Sequence, residues 1–286
     1  MNWICCQIGA REHYAVARAI NRHGKLECLV TDAWLRPRDP LAKVKRSLRE
    51  RFHKELANAD VSAANLGAIA FEVRAKITGL NDWSRIVARN NWFQKMAKAA
   101  LSRVDATETP RTVFAYSYAA RDIFLFARAR GWRTVLGQID GGPLEERIVT
   151  RLYSGDRVER ARCESAPPGY WADWREECAL ADRVVVNSTW SQSAIEGEGV
   201  PSSKIRVIPL AYERPLGAAE FRREYPQSFT ILLSREPTTL ARGARAPGES
   251  PINCSTRRDA PGPSLIPANK VFKRLNSRHL PAKSLL

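Results

Sequence analysis

Residues Glu176–Glu213 read EECALADRVVVNSTWSQSAIEGEGVPSSKIRVIPLAYE, and the order of patterns within them decides the fold. A helical stretch, Tyr170–Leu180, runs into this segment. Arg183–Val186 is a short apolar, β-branched run, which predicts a buried strand. Asn187 and Ser188 follow at its carboxyl end, and both residue types cap helices well. Thr189–Glu196 then reads as a helix and Ile205–Ile208 as the next strand. Strands alternating with helices over short connections predict a parallel sheet covered by its crossovers.

The same alternation extends to the N-terminus. Trp3–Ile8 is an apolar run ending at Gly9, and Arg11–Arg22 has helical spacing. Gly24 suits a helix C-cap before a second strand, Leu26–Thr31. Thr112–Tyr116 is β-rich and leads through Ser117, read as an N-cap, into a helix over Tyr118–Arg130. Gly131 closes that helix, and Thr134–Gln138 is the following strand. The expectation is an α/β, Rossmann-like parallel sheet with helices on both faces over residues 1–213.

Leu41–Arg103 reads as mostly helical. In residues 41–56 the apolar Leu41, Val44, Leu48, Phe52 and Leu56 share a stripe roughly 120° wide at 100° per residue. Lys43, Arg46, Arg49 and Lys54 lie off this stripe, so this helix either packs on the sheet or lies on an anionic membrane. Asp82–Arg103, with Trp83, Trp92, Phe93 and Met96, reads as a packed helix in preference to an aromatic binding platform.

The chain has 286 residues, 44% of them hydrophobic, with eight Trp, enough for a substantial core. The opening WICCQIGA is short, is interrupted at Gly9 and lacks a basic leader, so neither a secretion signal nor a membrane span is expected. Cys5, Cys6, Cys28, Cys163, Cys178 and Cys254 show no CxxC spacing and read as buried thiols of a cytoplasmic protein, with no metal site. The net charge is +16. Such a balance fits phosphates, nucleic acid or an anionic membrane. Without interleaved aromatics or a recognition motif, no specific nucleic acid is expected.

Ligands of open α/β sheets bind outside the carboxyl ends of the strands. The loop after the first strand offers Gly9, Ala10, Arg11 and His13 as acceptor or phosphate contacts, although Gly9 also serves as a plain turn glycine. Tyr116 and Ser117, with Tyr118, occupy the comparable place after the next central strand. Asp140 and Gly141 lie in QIDGGP, where Asp140 either binds an acceptor hydroxyl and acts as a base or caps the next helix. Asn187 stands at a fourth strand end, where capping explains it equally well. No GxSxG elbow, HExxH pair, P-loop or GxGxxG is present.

ALADRVVVNSTWSQSAIEGEGVPSSKIRVIPLAYE resembles the pattern that closes the N-terminal domain of family 4 glycosyltransferases of GT-B type. QIGAREHYAVARAINRHGKLECLVTDAW and GQIDGGPLEERIV are similar to members of the same family. The resemblance covers residues 1–226. It implies an acceptor-holding domain and retaining transfer of a sugar from a nucleoside-diphosphate donor to a saccharide or lipid-linked acceptor. It implies no obligatory metal and no other cofactor.

Residues 214–226 would then be the hinge to a donor-binding domain. The family's Arg/Lys pair and Glu-x7-Glu are not found after it. Residues 227–286 instead hold seven of the seventeen prolines and ten Lys or Arg against three acidic residues, and read as a disordered basic tail or an out-of-frame product. The chain is therefore expected to be inactive alone. The alternatives are an acceptor module working with a separate donor-domain partner, or a basic nucleic-acid binder. A cytoplasmic location, with peripheral contact at the inner membrane through helix 41–56, is the expected setting.

Overall fold

A computed structural model of the protein describes residues 1–37, 39, 50–105, 109–153 and 165–210. The expected hinge and tail lie outside these residues, as do 41–49 of the expected basic helix. The described end of that segment is a turn followed by a 3-10 helix, Lys54–Leu56, and is not α-helical.

Seven parallel strands form one sheet. They are β1 (Asn2–Gln7), β2 (Leu26–Thr31), β3 (Val61–Ala63), β4 (Arg111–Tyr116), β5 (Arg133–Gly137), β6 (Arg183–Val186) and β7 (Ile205–Val207), in the spatial order 3-2-1-4-5-6-7. The connecting helices are α1 (Ala15–Arg22), α2 (Asn65–Ile77), α3 (Asp82–Leu101), α4 (Arg121–Ala129), α5 (Pro143–Tyr153), α6 (Tyr170–Leu180) and α7 (Thr189–Glu196). This is the expected Rossmann-like α/β architecture.

Side chains alternate across a strand, and here both faces are covered. Ile4 and Cys6 of β1, Cys28 and Val30 of β2, and Val113 and Ala115 of β4 share one core with Phe93, Ile123, Phe124, Trp174 and Ile195 of the helices. The intervening Cys5, Leu29 and Phe114 join Tyr14, Ala17, Trp34 and Leu56 in a second core. Cys5 and Cys6 thus face opposite sides. With Cys28 and Cys178 they are free and buried, and burial pushes Cys28 up to about 11 and Cys178 to about 12. Among the described residues no group of three or more His, Cys, Asp or Glu is placed to hold a metal. None of the described helices is long and apolar enough to cross a membrane.

Three local expectations are corrected. The middle region contains the edge strand β3, which its three residues make invisible to periodicity. The helix expected from Arg11 begins instead at Ala15, because Glu12, His13 and Tyr14 take left-handed φ values of 51°, 50° and 60°. Ser117 does not cap the helix after β4. That helix starts at Arg121 with Ala120 as its N-cap residue, and its amides are satisfied from elsewhere.

Candidate functional site

The sheet order reverses direction between β1 and β4, and the crevice at the carboxyl ends of these strands is the ligand side of such folds. Gln7 ends β1, is buried, and donates through Nε2 to the Gly9 and Arg11 carbonyls at 3.0 Å each. These bonds shape the loop. Gly9 takes φ +76°, and its N–H donates to Asp32 Oδ1 at 2.9 Å. A Cβ there would lie 3.0 Å from Arg51 Nη1. The close approach that Gly9 permits is therefore made by an internal guanidinium. Ala10 accepts the His13 amide at 3.0 Å, while Arg11 sits over the Tyr116 ring, 5.6 Å from its centroid. The Tyr116 hydroxyl donates to Glu12 Oε2 at 3.3 Å. The left-handed turn is thus tied across the switch point to β4, with His13 exposed on it.

Asp32, at the carboxyl end of β2, escaped the sequence reading. It is buried and accepts from Gly9 N, from Ala33 N at 3.0 Å, from Arg51 Nη1 at 2.9 Å and from Arg89 Nη2 at 2.8 Å. An acidic residue at this place binds the ribose in dinucleotide-binding folds. Here its oxygens are occupied by two arginines and two amides. Its position at a strand end was the available signal; Arg51 and Arg89, 19 and 57 residues away in the chain, were not foreseeable.

The loops after β4 and β5 are joined. Ser117 is buried, donates its N–H to the Gly137 carbonyl at 3.0 Å and accepts Ile139 N on Oγ at 3.2 Å, a structural stitch. Tyr118 has φ 75°, and its hydroxyl donates to Asp140 Oδ1. Burial, then the Asp140 charge, pushes this phenol far up, so it stays protonated and remains a donor. Asp140 Oδ1 also accepts Gly142 N at 2.8 Å, an Asx turn ahead of α5. Gln138 Nε2 donates to the Asp140 carbonyl at 3.2 Å, while Gln138 Oε1 accepts Trp174 Nε1 at 2.9 Å. These bonds lock Asp140 through one oxygen and leave Oδ2 open on a half-buried side chain.

Aromatic rings crowd the same place. Tyr118 stacks on Tyr170 with centroids 5.1 Å apart, and Trp171 meets Tyr118 edge-on at 5.9 Å. Gly141 is buried beneath Trp190 of α7, where a Cβ would come within 2.6 Å of the indole, and its N–H donates to Glu145 Oε2 at 2.8 Å. It is a packing glycine without a free amide. Asn187 Oδ1 accepts the Ser191 hydroxyl at 3.0 Å, and Ser188 Oγ accepts Ser191 N at 3.1 Å, so both residues hold the start of α7.

The amino end of α4, the natural anion site on this edge, is closed from inside. Glu177 of α6 accepts Tyr118 N, Ala120 N and Arg121 N at 2.7, 2.8 and 3.2 Å, and Gln94 Oε1 of α3 accepts Asp122 N at 2.8 Å. Burial raises Glu177 to about 7 against the lowering effect of the amides. A cavity of about 20 Å³ beside it, lined in part by Asn90, Arg121 and Tyr170, has room for one water.

Of the expected site residues, Arg11 and Tyr116 meet across the switch point. Asp140 stands with Tyr118 and Gln138, and Gly141 beneath Trp190. Gly9, Ser117 and Asn187 are tied into internal hydrogen bonds. Fold and site together define a doubly wound α/β domain with an open carboxylate, Asp140, in an aromatic surround at its ligand edge. No protein-family model matches the chain. No curated protein matches it either. Among solved structures it is similar to TcCGT1 in complex with UDP, at 12% identity over 75% of this chain and 52% of that one, with a TM-score of 0.41. It is also similar to Phytolacca americana UGT2 complexed with UDP-2fluoro-glucose and pterostilbene, at 12% identity over 77% of this chain and 55% of that one, with a TM-score of 0.43. The chain spans about half the length of each of these structures.

Proposed function

We propose that this domain is the acceptor-holding half of a GT-B glycosyltransferase of family 4. Its reaction would be retaining transfer of a sugar from a nucleoside-diphosphate sugar to a saccharide or lipid-linked acceptor. The family pattern in residues 179–213 supports the family. The observation that carries the site is Asp140, whose Oδ1 is fixed by Tyr118 and Gly142 while Oδ2 remains open.

Transfer moves the anomeric carbon from a diphosphate oxygen to an acceptor hydroxyl, and the hydroxyl proton must leave. An open carboxylate oxygen can accept that hydroxyl and hold it in place. The departing diphosphate needs cations or free amides where its charge develops. Arg51 and Arg89 are engaged by Asp32, and the first amides of α4 by Glu177 and Gln94. This occupancy favours acceptor duty for the domain, with Arg11 on the Tyr116 ring as a cation still exposed at the switch point.

Saturation-transfer NMR with a panel of neutral mono- and disaccharides tests the reading. Sugar protons should receive saturation from the wild-type protein and lose it with Asp140→Asn. Uridine diphosphate alone should receive none. A panel that stays silent with the wild type, or an Asp140→Asn protein that behaves identically, would sink the assignment.

A further inference from the structure

Helix α2 is apolar on two sides, and only one of them is covered. Ala75 is buried, Phe71 stacks on Trp92 of α3 at 5.5 Å, and a Cβ on Gly67 would meet the same indole at 3.3 Å. At 100° per residue these three positions lie within about 80° of one another and face α3. The opposite side carries Leu66, Ile69, Val73 and Ile77, which are 78, 39, 52 and 80% exposed. These four also fall within about 80°. Arg74 and Lys76, both exposed, lie about 80° to either side of the Leu66 direction and so flank the stripe at its carboxyl-terminal end, beside Val73 and Ile77. Glu72 is paired with Arg85 of α3.

We propose that this face of α2 docks the protein on an anionic lipid bilayer. An aliphatic stripe between two basic margins is the arrangement that lies in a bilayer interface, chains down and cations among the phosphates. Charge selects this occupant. From Asn65 to Leu101 the α2–α3 pair carries six Lys or Arg against two acidic residues. A second copy would bring the same excess positive charge. Residues 227–286, with ten Lys or Arg against three acidic, would repel it as well. An anionic lipid surface complements it, at about 1 kcal/mol for each basic group near the surface. Asn65, the first residue of α2, accepts Trp34 N on Oδ1 at 2.8 Å and donates to the Trp34 carbonyl at 3.0 Å. The stripe therefore starts at the carboxyl edge of the sheet, and its basic end, Arg74 and Lys76, lies at the far end of the helix. The proposal stands whatever reaction the domain serves.

The full chain is sedimented with vesicles of phosphatidylcholine alone and of phosphatidylcholine containing about 30 mol% phosphatidylglycerol. Binding is expected only to the anionic vesicles. The double variant Leu66→Ser/Ile77→Ser and the double variant Arg74→Glu/Lys76→Glu should each weaken it at least about tenfold. All four side chains are exposed, so circular dichroism and melting of both variants should match the wild type. The proposal is overturned if the wild type ignores anionic vesicles, or if both variants bind as the wild type does, which moves the contact to another basic segment. It is equally overturned if Leu66→Ser/Ile77→Ser dissolves a dimer in sedimentation velocity while vesicle binding is unchanged.

Discussion

The Glu177 carboxylate accepts the backbone N–H of Ala120 at 2.8 Å, so a side chain of α6 caps the amino end of α4 from 57 residues away. The same carboxylate takes Tyr118 N and Arg121 N. Without it three amides at a buried helix start lose their acceptor, and each orphaned group costs about 1–3 kcal/mol. Glu177→Ala should destabilise the domain by about 2–4 kcal/mol in urea unfolding, allowing for partial hydration of the gap.

The pH dependence of the same residue has a definite sign. Its folded value, about 7, lies above the ordinary 4.5, so the folded state holds the proton more tightly than the unfolded chain. The resulting stabilisation is complete below 4.5 and is lost as pH rises through about 7. Wild type measured against Glu177→Gln, which cannot titrate, should lose up to about 3 kcal/mol across that window. A pH-independent difference would show that the three amides hold the carboxylate ionised throughout.

Asp140 and Tyr118 separate binding from stability. Tyr118→Phe removes one hydrogen bond and should cost about 1 kcal/mol of stability. By freeing the Asp140 carboxylate it should also weaken saccharide binding. Asp140→Asn should leave melting within a few degrees of the wild type while reducing saccharide affinity about tenfold or more, read by titration calorimetry. Equal losses of affinity and stability would make Asp140 a structural turn residue only.

Asp32 is the opposite kind of carboxylate. Asp32→Ala leaves the Arg51 and Arg89 guanidinium groups and the Gly9 amide without their buried partner. Breaking one side of such a pair costs about 3–5 kcal/mol. The variant is expected to unfold at markedly lower urea. High salt should change the wild-type value little, because the Asp32 side chain is only 3% exposed.

Two glycines rank by what surrounds them. A Cβ on Gly137 would lie 2.6 Å from Phe114 Cζ, and Phe114 is buried in the sheet core. On Gly141 it would lie equally close to Trp190, whose side chain is half exposed and free to swing away. Gly137→Ala should therefore cost about 1–3 kcal/mol. Gly141→Ala should cost less and report itself as a shift in tryptophan fluorescence.

The sheet was legible where its signals are local. Leu26–Thr31, Tyr170–Leu180, Arg183–Val186 and Thr189–Glu196 occupy the residues that apolar periodicity and capping assign to them. Ser188 caps α7 as its residue type predicts. Ser117 looks equally good in sequence, yet α4 is capped by Glu177, and the Ser117 hydroxyl serves the β5 loop instead. The left-handed run Glu12–Tyr14 broke the helix expected over Arg11–Arg22, since Tyr116 and Arg11 pair across the switch point to hold it.

By itself the sequence determined the alternation of strands and helices, the two buried faces and the place of the ligand edge, because these depend on neighbours a few residues apart. It also marked Asp140 as a carboxylate at that edge. Only the tertiary structure decided which carboxylates are free to work. Asp32, Glu177 and Asp140 all face backbone amides, but the first two are saturated by donors up to 59 residues away, while Asp140 is pinned through Oδ1 and open at Oδ2. Whether an oxygen is occupied depends on which donors the fold carries to it, and a buried polar group must take the partners it meets.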